Sequence, residues 1–255
     1  MPMQFPGLVI RRNSPLPDAV RAVQERLDAL GCGPVRVDGI FGPDTEAAVR
    51  LFQTRFPDLT GAALKADGEV GPVTWAALFG GESLPALAKG GALAQAALEV
   101  ADGQVGVSEQ PPGSNRGKEV EEFLAAVGVP PGNPWCAAFV YWCVDRAAER
   151  LGQANCLPRT GGVLEMWRGA KRTGLPCVPS GQAVAQPSLV TAGMVFVIDH
   201  GGGKGHVGFV EGVANGRLVT VEGNSNDGGS REGTGVFRLD RRTIGTINAG
   251  FIGLP

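Results

Sequence analysis

Only two histidines occur in the 255 residues, His200 and His206, and there is no HExxH pattern. Without a third histidine too few ligands remain for a catalytic zinc site. Charge of one sign is also missing. Lys and Arg number 23 against 25 Asp and Glu, a formal net charge of -2. With no basic field, nucleic acid is not expected as a partner. No apolar run approaches the roughly 20 residues that span a bilayer, so membrane insertion is not expected either. The opening stretch, MPMQFPGLVIRRNSP, lacks the basic flank and apolar core of a secretory signal. Synthesis in the cytoplasm without a signal peptide is the expectation. The five cysteines are odd in number and show no metal-ligand spacing, so free thiols, no metal and no cofactor are expected. A monomer is expected as well.

What is present begins with a repeat. Pro17 and Asp18 open a helix in which Val20, Val23, Leu27 and Leu30 recur at helical spacing, and Gly31 closes it. DGIFGPDTEAAVRLF follows from Asp38, with Gly42 and Pro43 starting a helix, and DGEVGPVTWAALF repeats the pattern from Asp67. Each copy is a tight turn feeding a helix with proline in its first turn. Together, VQERLDALG, DGIFGPDTEAAVRLFQ and DGEVGPVTWAAL closely resemble the three-helix peptidoglycan-binding domain, over residues 15–80. The resemblance implies a non-catalytic module that holds cell-wall glycopeptide.

GGESLPALAKGG mixes glycine and proline without periodicity and reads as a linker. It is set at residues 81–92, between a domain at 1–80 and a second at 93–255. The second starts with helical stretches, ALAQAALEVADGQ, KEVEEFLAAVG, PWCAAFVYWCVDRAAERLG and GVLEMWRGAK. It then turns to strands, AGMVFVIDH, HVGFVEGV, RLVTVEGN and GVFRLDRR, with NAGFIGLP closing. Helices first and an antiparallel sheet afterwards predict an α+β domain, and an α+β class for the chain.

Within PWCAAFVYWC, Asn133 suits an N-cap and Pro134 the first helical position, which sets Cys136 at about the third residue of a helix. There the unpaired N–H groups and the helix dipole favour a thiolate, the form that attacks a carbonyl carbon. Cys143 lies two turns further in, beyond that help. Taken alone, a buried thiol behind Trp135 fits Cys136 as well.

A base decides between the two. His200 ends a strand at the GGGKG tip, whereas His206 opens a strand and so has a fixed position. A three-residue turn at Ala214-Asn215-Gly216, with Gly216 left-handed, pairs Val213 with Arg217. Gly208 then falls opposite Glu222, and His206 opposite Asn224, all on one face. Directly opposite Cβ atoms are about 4.5–5.5 Å apart and diagonal ones roughly 7–8 Å, within reach of Glu222. A two-residue turn would send Glu222 to the other face. On strand chemistry alone, EGNSND leading simply into a loop fits equally.

NPWCAAFVYW, KGHVGFVEG and VTVEGNSN, in that order, resemble the CHAP domain (cysteine- and histidine-dependent amidohydrolase/peptidase) over residues 93–255. The resemblance implies a papain-like fold that cuts peptidoglycan. It puts the nucleophile on Cys136, the base on His206, the orienting acid on Glu222 and a supporting amide on Asn224. Many such domains carry an acidic calcium loop before the cysteine; GSNRGKEVEEFL lacks its alternation of Asp and Asn, so no metal is expected. Ser114, Asn115 and Arg116 either form a loop near the site or cap a helix. The implied reaction is hydrolysis of a wall amide, as N-acetylmuramoyl-L-alanine amidase or stem-peptide endopeptidase. A non-catalytic wall-binding protein and a thiol protease acting on proteins are the alternatives. Without a signal peptide, access to the wall implies release through a phage holin or delivery by a secretion system.

Overall fold

A computed structural model of the protein describes residues 4–80, 87–214, 217–226 and 233–255. Backbone contacts divide them into two compact units, the first holding the three N-terminal helices with Val184–Ser188 and Val213–Arg217, and the second most of the later helices and of the sheet. The class is α+β.

In the first unit, α1 (Pro17–Ala29), α2 (Pro43–Arg55) and α3 (Pro72–Phe79) each begin on a proline. Proline suits that place because its missing N–H would have no helical partner and its fixed φ is already helical. Val20, Val23, Leu27, Val49, Phe52, Trp75 and Leu78 form the core. Beside them lie two buried glutamines. Gln24 accepts from the N–H groups of Asp38 and Gly39 and donates to Asp38 Oδ1, Ile40 O and Thr45 Oγ1, all at 2.9–3.1 Å. Gln53 repeats this on the next turn, with Gly68 N–H, Asp67 Oδ1, Glu69 O and Thr74 Oγ1 at 2.9–3.2 Å. Each glutamine ties a helix to the Asp-Gly turn and to the start of the helix that follows.

The second unit runs α4 (Ala92–Asp102), α5 (Lys118–Ala126), α6 (Cys136–Arg150), α7 (Val163–Arg172), β1 (Cys177–Pro179) and α8 (Ser180–Ala185). The strands β2 (Val195–Gly201), β3 (Lys204–Ala214), β4 (Arg217–Ser225), β5 (Gly235–Arg242) and β6 (Gly250–Ile252) follow. The antiparallel sheet has the order β1-β6-β2-β3-β4-β5. The sequence pattern missed β1, which at three residues is too short to display alternation, whereas β6 lies in the closing NAGFIGLP stretch.

Helix α6 is the centre of this unit, with Ala137, Ala138, Phe139, Val140, Cys143, Val144 and Ala147 fully buried, and it packs against α4 and α5. Phe139 meets Phe123, Trp135 and Phe209 edge-on, at centroid distances of 5.4, 6.4 and 6.4 Å. Such aromatic pairs contribute about 0.5–1.5 kcal/mol each beyond their burial. Phe209 lies on β3, so this cluster presses the first turns of α6 onto the sheet. The later part of the expected linker already belongs here: Gly90 N–H donates to Ala192 O, and Ala192 N–H to Ala88 O. Residues 81–86 lie outside the described residues. Among those described, no helix is long and apolar enough to cross a membrane.

Candidate active site

Cys136 is the first residue of α6, not the third. Asn133 does not cap the helix; its side chain donates to Pro130 O at 3.0 Å. Trp135 is the N-cap, with φ -126° and ψ 10°, and its carbonyl accepts from Phe139 N–H at 2.8 Å. The expectation erred because a generic cap preference ignores the tertiary bonds that fix Trp135. Its backbone N–H and its indole N–H are both taken, as described below. At the first helical position the N–H of Cys136 has no intrahelical acceptor.

His206 sits on β3 opposite Ile198 of β2, with its ring 6.0 Å from that of Phe196. Its Nε2 is 2.8 Å from Glu222 Oε2, and the Cys136 side chain acts on the same ring to raise its pKa, which leaves Nδ1 for the thiol. Two glycines of the motifs make this approach possible. A Cβ on Gly208 would stand 3.1 Å from Glu222 Cγ and 2.9 Å from the Phe196 ring. A Cβ on Gly223 would stand 2.6 Å from the Phe139 ring. The first lets the Glu222 side chain cross β3 to the imidazole, and the second lets β4 pass close over α6.

Glu222 is fully buried. Oε1 accepts from Thr220 Oγ1 at 2.7 Å and Arg242 Nε at 2.6 Å. Oε2 accepts from Arg242 Nη2 at 2.7 Å and Ser225 Oγ at 3.2 Å, besides the imidazole. Burying a carboxylate costs several kcal/mol, and a bidentate arginine with three further donors is the kind of shell that offsets it. Burial pushes the Glu222 carboxyl up, but the bonds from Arg242 and His206 outweigh it and hold it well below the usual carboxylate range. For His206, burial acts downward, while the bonds to Cys136 and Glu222 prevail and lift it to about 9. The guanidinium of Arg242 lies 5.0 Å over the Phe196 ring, so Arg242, Phe196, His206 and Glu222 close a ring of contacts.

The sequence pattern placed the Asn224 amide beside the imidazole, and the structure places it elsewhere. Asn224 has φ 52°, within an irregular stretch of the β4–β5 pairing between Glu222 and Ser225. With the amide turned to suit its neighbours, Oδ1 accepts from Trp135 N–H at 3.0 Å and Nδ2 donates to Gly233 O at 3.2 Å. A flat two-residue periodicity could not foresee that left-handed turn. The expected hairpin turn at Asn215-Gly216 lies outside the described residues. His200 is exposed near the end of β2.

Asn115, from the GSNRG stretch, does lie near the helix start. Its carbonyl accepts from Gly132 N–H at 3.0 Å, and its N–H donates to Glu109 Oε2 at 3.0 Å. Ser114 turns back onto Pro111 O, and Arg116 pairs with Glu121. Glu109 is buried and accepts the indole N–H of Trp135 at 2.9 Å. Neither Glu109 nor Arg242 stands in a recognisable motif. Arg242 is one of three cations in FRLDRR, and Glu109 is a lone acid before two prolines.

The other four cysteines differ from Cys136 in their surroundings. Burial raises the thiols of Cys32, Cys156 and Cys177, and it raises that of Cys143, in the middle of α6, well above the usual range. No cluster of three or more His, Cys, Asp or Glu side chains suited to a metal occurs among the described residues.

Residues 17–78 match the family model of the peptidoglycan binding domain, and residues 128–224 match that of the CHAP domain. The second match takes in Cys136, His206, Glu222 and Asn224 but stops short of Glu109 and Arg242. No curated protein and no solved structure matches the chain. The two matches together describe a two-domain peptidoglycan hydrolase, of amidase or peptidase type, whose partner is peptidoglycan.

Proposed function

We propose that the enzyme hydrolyses an amide bond of peptidoglycan through Cys136 as nucleophile, His206 as base and acid, and Glu222 as orienter. The reading rests on one observation: the His206 ring, whose pKa Cys136 raises from a helix start, is held through Nε2 by a buried carboxylate 2.8 Å away. Facing an acceptor, Nε2 keeps its hydrogen, and Nδ1 is the ring atom that exchanges a proton with the sulfur. Cys136 gives its proton to Nδ1, and the thiolate attacks the amide carbonyl carbon. The Cys136 N–H at the first helical position donates to the oxyanion. The imidazolium then protonates the departing amine as the C–N bond breaks, leaving an acyl thioester. A water that loses its proton to Nδ1 cleaves the thioester, giving the carboxylate and the restored thiol.

The bond cut is either the one between lactyl group and L-alanine or one inside the stem peptide, since the same attack serves both. The first unit concentrates the enzyme on insoluble wall without entering the chemistry. The test is digestion of purified wall by wild type and by Cys136→Ala, with the products identified by mass spectrometry. New amine and carboxyl ends from wild type alone are expected, and their identity names the bond. An active Cys136→Ala protein would overturn the cysteine mechanism.

A further inference from the structure

We propose that Asn224 and Glu109 are positioning residues that grip Trp135 from two sides and so fix Cys136 as the first residue of its helix; this rests on the cysteine reading above. The grip uses both N–H groups of one residue. Asn224 Oδ1 takes the backbone N–H at 3.0 Å, and Glu109 Oε1 takes the indole N–H at 2.9 Å. Trp135 is 0% exposed and Glu109 1%. Were Trp135 helical, α6 would begin a residue earlier; the Cys136 N–H would still lack an intrahelical acceptor, but the earlier start would change where that N–H and the thiol point relative to His206. The two bonds come from different parts of the unit, Asn224 from the end of β4 and Glu109 from the loop before α5.

The chemistry of Glu109 argues against a purely stabilising purpose. Its hydrogen-bond donors, the Trp135 indole and the Asn115 backbone, are both neutral, and among the described residues no cation pairs with it. Burying a carboxylate on neutral donors is costly. A carboxylate kept in such a place is explained by what it orients. Asn224 suits its place locally, since its backbone takes φ 52°, a left-handed conformation that asparagine enters more readily than most non-glycine residues. That conformation carries the amide to the helix start rather than to the imidazole.

The test uses the full chain acting on soluble peptidoglycan fragments. Asn224→Gly keeps the left-handed backbone and removes only the oxygen. Its kcat should fall about 30- to 100-fold with KM within about twofold, the scale of a small misplacement of reacting groups. Asn224→Asp restores an acceptor and should recover activity to within about tenfold of wild type. The His206 titration, followed by NMR with His200→Ala for assignment, should be the same in Asn224→Gly as in wild type. Glu109→Leu strands the Trp135 indole and Asn115 N–H groups and should melt below wild type, and at a temperature where it stays folded it should still lose about tenfold in kcat. A purely structural role predicts instead that every variant keeps the wild-type kcat wherever it remains folded, and that outcome overturns the proposal. So does an Asn224→Gly protein with wild-type kcat, or one whose His206 titration moves, which would return the amide to the imidazole. If Cys136→Ala stays active the cysteine mechanism itself fails; if that variant is dead while Asn224→Gly is unimpaired, the grip alone fails.

Discussion

Gln24 and Gln53 in the first unit and Glu222 in the second are all buried polar side chains saturated with hydrogen bonds, yet they end in different things. The glutamines close on turns: their partners are backbone groups, Asp38 and Asp67, and Thr45 and Thr74. Nothing reactive is left over. Glu222 closes on Arg242, Thr220 and Ser225 but also on His206, which passes the connection on to Cys136. A network that terminates in backbone specifies a fold, while one that terminates in a nucleophile can do chemistry. The same contrast divides Cys136 from Cys143, on one helix and both buried.

That last pair gives the largest expected effect. Cys136→Ala should lower the rate on wall fragments by about 10^4-fold or more while leaving binding to sacculi intact. Cys143→Ala should leave the rate within about twofold and cost about 1 kcal/mol of stability through the lost sulfur packing. Equal damage from the two substitutions would erase the distinction.

Next in size is Glu222→Gln. The amide NH2 group must face donors where a carboxylate faced acceptable partners, so both orientation and fold suffer. A rate loss of about 10^3-fold is expected, together with about 2–4 kcal/mol of stability. Arg242→Ala sharpens the point, because the guanidinium is what most strongly holds the Glu222 carboxyl low. Without it that carboxyl protonates at higher pH, and the acid limb of the pH–rate profile should move upward. A limb that stays in place would detach Arg242 from the site.

A smaller effect, on the other side of the comparison, belongs to Gln53→Ala. It strands the Gly68 N–H and three acceptors and should destabilise the first unit by about 2–3 kcal/mol. Turnover on soluble fragments should not change. Chemical unfolding followed through Trp75, the tryptophan of that unit, would separate the two quantities.

The two networks were unequally legible in sequence. The first unit announces itself because its physics repeats. Asp38 and Asp67, Gly42 and Gly71, Pro43 and Pro72, and Thr45 and Thr74 share one offset. Gln24 and Gln53 keep that offset too, and could have been picked out by extending the alignment backwards into VQERL and LFQTR. In the second unit Cys136, His206 and Glu222 were legible as motifs on a helix and on two strands. What escaped depends on side chains that meet only after folding. Arg242 reaches Glu222 from a different strand, Glu109 reaches Trp135 from a loop, and Asn224 turns away through one left-handed residue. Periodicity carries no information about any of these, because each is a contact between residues far apart in sequence.

The smallest expected effect concerns how the two units respond to alkali. His206 has its folded pKa lifted from an ordinary 6.5 to about 9 by Cys136 and Glu222, against the opposing effect of burial. A raised value on a base means that the folded state holds the proton more tightly than the unfolded chain. The stability this gives is fully present below about pH 6.5 and drains away as pH rises toward 9. In the first unit Asp38 is shifted the other way, held low mainly by the Ile40 N–H and then by Gln24, so its share is present at neutral pH and is lost only in acid. Between pH 6.5 and 8, below the range of ordinary thiols, the second unit should therefore lose stability while the first does not. Urea titrations across that range, read at Trp75 in one protein and at Trp135, Trp142 and Trp167 in a Trp75→Phe protein, measure the two separately. The slope of the second unit should flatten in His206→Ala, because the group that loses its proton is gone. A second unit whose midpoint does not move with pH, or one whose slope survives that substitution, would mean that the histidine network ends without storing a proton.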